Sequence, residues 1–226
     1  MNDELRNITH ITFNPQPSTL NLQYISQGKT IQEHLDNIET VCKAGGKWIQ
    51  LRLKNVSLIE YLTAAKKCRT ICDTYGAIFI INDNVGIAGE AQADGIHVGL
   101  TDTNPKEARK QLGDNAIIGG TANTLEDCIK HIKDGVDYIG LGPLRFTTTK
   151  DKLSPVLGIE GYTNILKSLS EKGYQTPVIA IGGIELSDIA TLSKTGVSGI
   201  AVSGLLTGAP IQELENRIKK LTNQEL

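Results

Sequence analysis

The 226-residue sequence predicts an α/β fold, a single-domain (β/α)8 TIM barrel, and three observations carry that expectation. Eight short β-rich runs recur from residue 22 onward: LQYIS, WIQLRL, AIFIIN, GIHVG, AIIGG, YIGLG, PVIAIGG and GIAVSG. Most are continuously apolar rather than alternating, the pattern of parallel strands covered on both faces. The stretches between them are amphipathic and read as crossover helices. An open doubly wound sheet shares this periodicity, but eight strand–helix units in about 200 residues match the closed barrel better.

Taken in order, residues 1–21 carry Pro15 and Pro17 and read as an N-terminal arm, and residues 22–226 read as the barrel domain. Between the first two strands, from Thr30 to Ala44, Ile31, Leu35, Ile38 and Cys42 recur at helical spacing. The second strand ends in QLRLK, where Gln50, Arg52 and Lys54 alternate and so share one face. The third ends in Asn82-Asp83, the fourth runs through GLTD to Asp102, and the fifth leads to Thr121. The sixth opens into PLRFTTTK, the seventh ends in Gly182-Gly183, and the eighth ends in Ser203-Gly204. Gly45, Gly76, Gly113, Gly135, Gly173 and Gly196 stand where helices stop, and Asp, Thr or Ser often precede the helices as caps. No linker, low-complexity tract or strong repeat divides the chain.

A net charge of −2 gives no global basic field for nucleic acid or an anionic membrane, while leaving room for a local basic pocket. The N-terminus, MNDELRNITH, lacks a basic start followed by an apolar core, and no apolar run approaches the ~20 residues of a membrane span. A cytoplasmic protein is expected. Cys42, Cys68, Cys72 and Cys128 fall in helical segments without a CxxC pair. Cys68 and Cys72 share a helical face that in principle offers metal ligands, but all four read as buried reduced thiols.

In a barrel of this kind the chemistry collects at the C-terminal ends of the strands, where the loops converge over one mouth. Arg52, Lys54 and Lys150 bring cations there, with Asn82 and the threonine hydroxyls as neutral donors, a set suited to a diphosphate. Asp83 and Asp102 are hard oxygen ligands; two carboxylates with phosphate oxygens are typical of Mg²⁺. The bland alternatives are helix caps and structural ion pairs, and it is the coincidence at successive strand ends that favours a site. The glycines of IGGI and VSGLL let backbone N–H groups approach a second phosphate, with a short helix expected behind each; tight turning is the alternative. Two anion pockets imply two phosphorylated ligands. His97, inside an apolar strand, reads as a hydrogen-bonded core histidine, and Trp48 and Tyr138 as packing residues, so none of the three is assigned a role.

The ordered series QLRLK, INDN, DGIHVGLTD, IIGGTANT, YIGLGPLRFTTTK, VIAIGGI and GIAVSGLL, from roughly residue 22 to residue 208, resembles the thiamine-phosphate synthase family. The resemblance implies a (β/α)8 barrel that couples an aminopyrimidine methyl diphosphate to a thiazole phosphate, assisted by Mg²⁺. It implies that Gln50, Leu51, Arg52, Leu53, Lys54, Asn82, Thr121 and Lys150 hold the pyrimidine diphosphate, with Arg52, Lys54 and Lys150 acting on the leaving group. It implies further that Asp83 and Asp102 take the metal, and that Thr147, Thr148, Thr149, Gly183, Ser203 and Gly204 hold the thiazole phosphate. The sequence departs from the family pattern at Leu53, Leu100 and Asn123, the last standing where a histidine is more usual. A related thiazole tautomerase and a non-catalytic thiamine-phosphate-binding protein are the alternative readings; the paired aspartates with Arg52 and Lys150 speak against the tautomerase. The resemblance leans toward a homodimer, although no interface is legible.

Overall fold

A computed structural model describes residues 21–146 and 155–222. Within them, eight parallel strands close into one barrel in sequence order. They are β1 (Asn21–Ile25), β2 (Trp48–Leu51), β3 (Ile78–Asn82), β4 (Gly95–Val98), β5 (Ile117–Ala122), β6 (Tyr138–Leu141), β7 (Val178–Ile181) and β8 (Gly199–Val202). Closure is made by β1 against β8, in register from Asn21↔Gly199 to Tyr24↔Val202. The strand run anticipated from residue 22 thus begins one residue earlier, and residues 1–20 of the expected arm lie outside the described residues.

The crossovers are α1 (Ile31–Lys43), α2 (Leu58–Tyr75), α3 (Val85–Glu90), α4 (Pro105–Leu112), α5 (Leu125–Lys133), α6 (Gly158–Glu171), a four-residue α7 (Ile189–Leu192) and α8 (Ile211–Leu221). Thr30 caps α1, and Ser57 with Glu60 forms a reciprocal capping box on α2, together satisfying amide groups that a helix start leaves unpaired. The six glycines expected at helix ends all adopt positive φ, the conformation that lets the chain leave a helix without a Cβ clash. Of the short helices expected behind the last two strands, the one behind β7 is present and the one behind β8 is corrected. Behind β7 the chain makes a 3₁₀ turn, Leu186–Asp188, before α7, and behind β8 it makes a tight turn closed by Leu206 N–H to the Ser203 carbonyl at 3.0 Å. The next helix there starts only at Ile211.

Alternation along the strands separates two cores. Outward residues such as Ile49, Leu51, Phe79, Ile81, Ile96 and Ile139 pack against the helices, and a smaller interior cluster holds Trp48, Ile80, Tyr138, Ile179 and Ala201. Two buried tyrosines clip strand ends from the helix layer. Tyr61 on α2 donates to the carbonyls of Leu51 (2.9 Å) and Asn82 (3.0 Å), tying β2 to β3. Tyr162 on α6 donates to the Leu141 carbonyl and accepts the Ile181 N–H, tying β6 to β7. The four cysteines are free and buried. Contact with Cys72, then burial, raises the Cys42 thiol, and burial pushes Cys128 up to about 12, so these thiols stay protonated at neutral pH. Among the described residues no group of three or more His, Cys, Asp or Glu gathers as a metal cluster, and no helix is long and apolar enough to cross a membrane.

Candidate active site

The C-terminal rim is built mostly from strand-end side chains. On β2, Ile49 and Leu51 face the helix layer and Trp48 faces the interior, so Gln50 and Arg52 point inward and upward toward the mouth. Arg52 is set by its own amide, which donates to Ser26 Oγ at 3.0 Å. The same Ser26 oxygen lies 2.8 Å from His34 Nδ1. Leu51 and Leu53 belong to the shell between sheet and helices, so their side chains are turned from the mouth and only main chain remains available there.

Asp83 follows β3 in a left-handed conformation, φ +66°, which is uncommon for a residue with a Cβ. Its amide donates to the His97 carbonyl at 2.8 Å, and its carboxylate pairs with the Lys54 ammonium. Asp102 reaches back so that Oδ2 accepts the Gly99 N–H at 2.8 Å. A Cβ at position 99 would stand 2.7 Å from that same oxygen, so glycine is what lets the carboxylate dock on the strand end. The two carboxyl groups are within hydrogen-bonding reach of each other, and their environments split them. Burial works to raise Asp83, but Lys54 and the Asp102 carboxyl override it and hold Asp83 below the usual carboxylate range. Burial, then Asp83 itself, raises Asp102. An acid ionised at its neighbour's expense is relieved by a cation shared between the two. Two carboxylate donors are also the usual protein share for Mg²⁺, which keeps water and phosphate oxygens on its other positions. The donor set therefore fits that ion.

Asn82, buried at the end of β3, lies in register beside His97 on β4. Thr121 near the end of β5 is held from both sides: His97 Nε2 is 2.9 Å from its hydroxyl, and His131 Nε2, from α5, donates to its carbonyl at 2.8 Å. Asn123 donates to the Gly142 carbonyl, so the residue that departs from the family pattern braces the start of the β6–α6 loop. Thr147, Thr148, Thr149 and Lys150 in that loop lie outside the described residues.

On the far side, Gly182 and Gly183 have φ of +87° and +70°, and a Cβ at Gly182 would meet Pro143 Cβ at 2.6 Å. Leu144 and Arg145 donate their amides to the carbonyls of Ile181 (2.9 Å) and Gly182 (3.1 Å). The Arg145 guanidinium grips both oxygens of Asp188 at 2.5 Å and the Gly183 carbonyl at 2.8 Å. Close loop packing thus contributes to the need for these glycines, alongside any role at a phosphate. Ser203 donates to Gln27 Oε1 at 3.1 Å, which brings the β1–α1 loop to the eighth strand end.

The structure thus gathers Gln50, Arg52, Lys54, Asn82, Asp83, Asp102, Thr121, Gly183, Ser203 and Gly204 at strand ends of one barrel mouth. Sequence reasoning missed Gln23, Ser26, Gln27 and His34, single polar residues without a motif, and left His97 and Tyr138 without a role. The glycines facing His97 were the readable signal: a Cβ at Gly119 would lie 2.5 Å from His97 Nδ1 and one at Gly140 2.9 Å from its Cε1.

Comparison with known proteins supplies independent findings. The family model described as thiamine monophosphate synthase matches residues 22–206. A thiamine-phosphate synthase from Flavobacterium johnsoniae is 49% identical over 205 residues, covering 91% of this chain and 93% of that protein. Another from Flavobacterium psychrophilum is 50% identical over 202 residues, covering 88% and 98%. The solved thiamine phosphate pyrophosphorylase from Pyrococcus furiosus superposes with a TM-score of 0.78 at 30% identity, covering 92% of this chain and 98% of that one.

Proposed function

The chain belongs to the thiamine monophosphate synthase family, and from that membership we propose that it is a transferase coupling an aminopyrimidine methyl diphosphate to a thiazole phosphate, forming thiamine phosphate and diphosphate. The observation that carries the reading is the upper rim, where Lys54 pairs with Asp83, Asp83 faces Asp102, and Arg52 follows the neighbouring strand end over the same mouth.

The chemistry asks little covalent work of the protein. Heterolysis of the C–O bond leaves positive charge on the pyrimidine methylene, delocalised by the ring amino group, and negative charge on the departing diphosphate. Arg52 and Lys54 meet that growing negative charge, and Lys150 is assigned to it by family resemblance. Asp83 and Asp102 are the residues that hold Mg²⁺, which when bound supplies further charge neutralisation at the diphosphate. Gln50, Asn82 and Thr121 orient the pyrimidine, and Gly183 with Ser203 and Gly204, joined by Thr147, Thr148 and Thr149, seats the thiazole phosphate so that its ring nitrogen faces the methylene. No protein nucleophile is needed. A cytoplasmic location and a homodimer complete the reading, on family resemblance alone.

The test is a two-substrate assay that follows thiamine phosphate directly. Product and diphosphate in equal amounts, only with both substrates present, are expected; diphosphate release from the pyrimidine alone, or no product at all, rejects the reading.

A further inference from the structure

Beneath the mouth, five polar side chains from five strands join into one chain across a barrel interior otherwise filled by Trp48, Ile80, Ile179 and Ala201. Gln50 on β2 donates its amide to Gln23 Oε1 on β1 at 3.1 Å. Gln23 donates in turn to the Tyr138 hydroxyl on β6 at 3.2 Å. Tyr138 lies 3.0 Å from His97 Nδ1 on β4, and His97 Nε2 lies 2.9 Å from the Thr121 hydroxyl on β5. Space for the crossing is made by glycine, since a Cβ at Gly119 would fall 2.2 Å from Tyr138 Cζ.

One proton arrangement satisfies every link. The Tyr138 oxygen accepts from Gln23 and its own proton is available to His97 Nδ1, while burial keeps the phenol protonated by raising it. In the tautomer that matches, His97 carries its proton on Nε2 and donates to Thr121 Oγ1, which leaves the threonine proton for another acceptor. At the other end, Gln50 gives an N–H to the chain, which leaves its carbonyl oxygen outside it. A Gln50 amide flipped on its own would set two carbonyl oxygens against each other.

We propose that Gln23, Tyr138 and His97 are positioning residues that fix Gln50 as an acceptor and Thr121 as a donor, and thereby select an amino-substituted over an oxo-substituted pyrimidine diphosphate. This rests on the synthase reading, in which Gln50 and Thr121 face the pyrimidine. A ring amino group meets the Gln50 oxygen, and a lone pair of the same ligand meets the Thr121 proton. An oxo group in the amino position meets an oxygen instead, and the linked chain prevents Gln50 from turning to suit it.

The test uses the full-length protein with Mg²⁺, comparing wild type with Tyr138→Phe, which keeps the ring packed against Trp48 at 4.9 Å and removes the hydroxyl. KM is measured for the aminopyrimidine diphosphate, its oxo counterpart and the thiazole phosphate. Loss of the central link is expected to raise KM for the aminopyrimidine about five- to ten-fold and to lower the amino-over-oxo preference about ten-fold, with KM for thiazole phosphate unchanged. Gln23→Met breaks the same link from the other side and decides the matter if Tyr138→Phe does not fold. Unchanged discrimination, or an equal rise in both substrates' KM, overturns the positioning role while wild-type coupling stands. A wild-type protein that couples nothing overturns the synthase reading, and the proposal with it.

Discussion

The two rims of this barrel use the same residue types to opposite ends. At the N-terminal rim, acids and arginines close on each other and on the backbone. Asp94, just before β4, accepts from Arg69 at 2.8 Å and from the Phe79 amide at 2.7 Å. Asp137, just before β6, repeats the arrangement with Arg109 at 2.7 Å and the Ile118 amide at 2.6 Å. At the C-terminal rim, Asp83 and Asp102 face each other instead of each taking an arginine, and one is held ionised partly at the other's expense. Charges satisfied within the fold hold strands together. Two acids placed side by side, with the Lys54 ammonium on one of them, leave room for a further cation, which is how a binding site differs from a staple.

The sharpest way to break that contrast is at the N-terminal rim. Asp94→Ala leaves Arg69 with the half-exposed Asp73 as its carboxylate partner and orphans the Phe79 amide. A loss of about 3 kcal/mol in chemical denaturation is expected, with kcat/KM per folded molecule unchanged. A large kinetic defect at full stability would erase the division of labour.

Two glycine substitutions sharpen it next. Gly119→Ala drives a Cβ into Tyr138 and His97 just below the mouth, and is expected to cost about 1–3 kcal/mol and to weaken pyrimidine binding. Gly76→Ala at the end of α2, with φ +58° and nothing within 4 Å of the new Cβ, is expected to cost about 1 kcal/mol from backbone strain, with binding intact. Thermal melts alongside ligand titration separate the two.

The smallest effect is a pH dependence. The Arg145 hydrogen bonds hold Asp188 below the ordinary carboxylate value. A depressed folded value means that its stabilisation is present above the unfolded value near about 4 and is lost as pH falls through the folded one. Wild type is therefore expected to lose stability more steeply than Asp188→Asn as pH drops below about 5, the two curves converging in acid. Parallel curves would show that the pair contributes nothing to folding, as exposed pairs often do.

Much of this was legible in the residues alone. Apolar runs, most of them continuous, marked the eight strands, because a strand covered on both faces has little polar side to show, and the glycines marked the helix ends because only they leave through positive φ without strain. The same property hid the interior. In a strand such as GIHVG, hydropathy does not say which residues face the barrel axis, so His97 read as a hydrogen-bonded core histidine, as it is, while its partners Tyr138 and Thr121 stayed hidden. The alternation of Gln50, Arg52 and Lys54 did carry that information, because polar residues at period two declare their face. Leu51 and Leu53 follow the same rule in reverse. The tight turn behind β8, where a short helix was expected, escaped because a few residues are too short to show a period.

The central claim is that Asp83 and Asp102 act through one shared Mg²⁺ at the diphosphate. Coupling rates measured against Mg²⁺ concentration for Asp83→Asn, Asp102→Asn and the double variant test it most directly. Each single change is expected to lower turnover about 10²-fold or more and to raise the Mg²⁺ requirement, and the double variant is expected to fall little below the worse single one, because both losses pass through one ion. Near wild-type, metal-independent coupling in either single variant, or losses that multiply in the double, would contradict it.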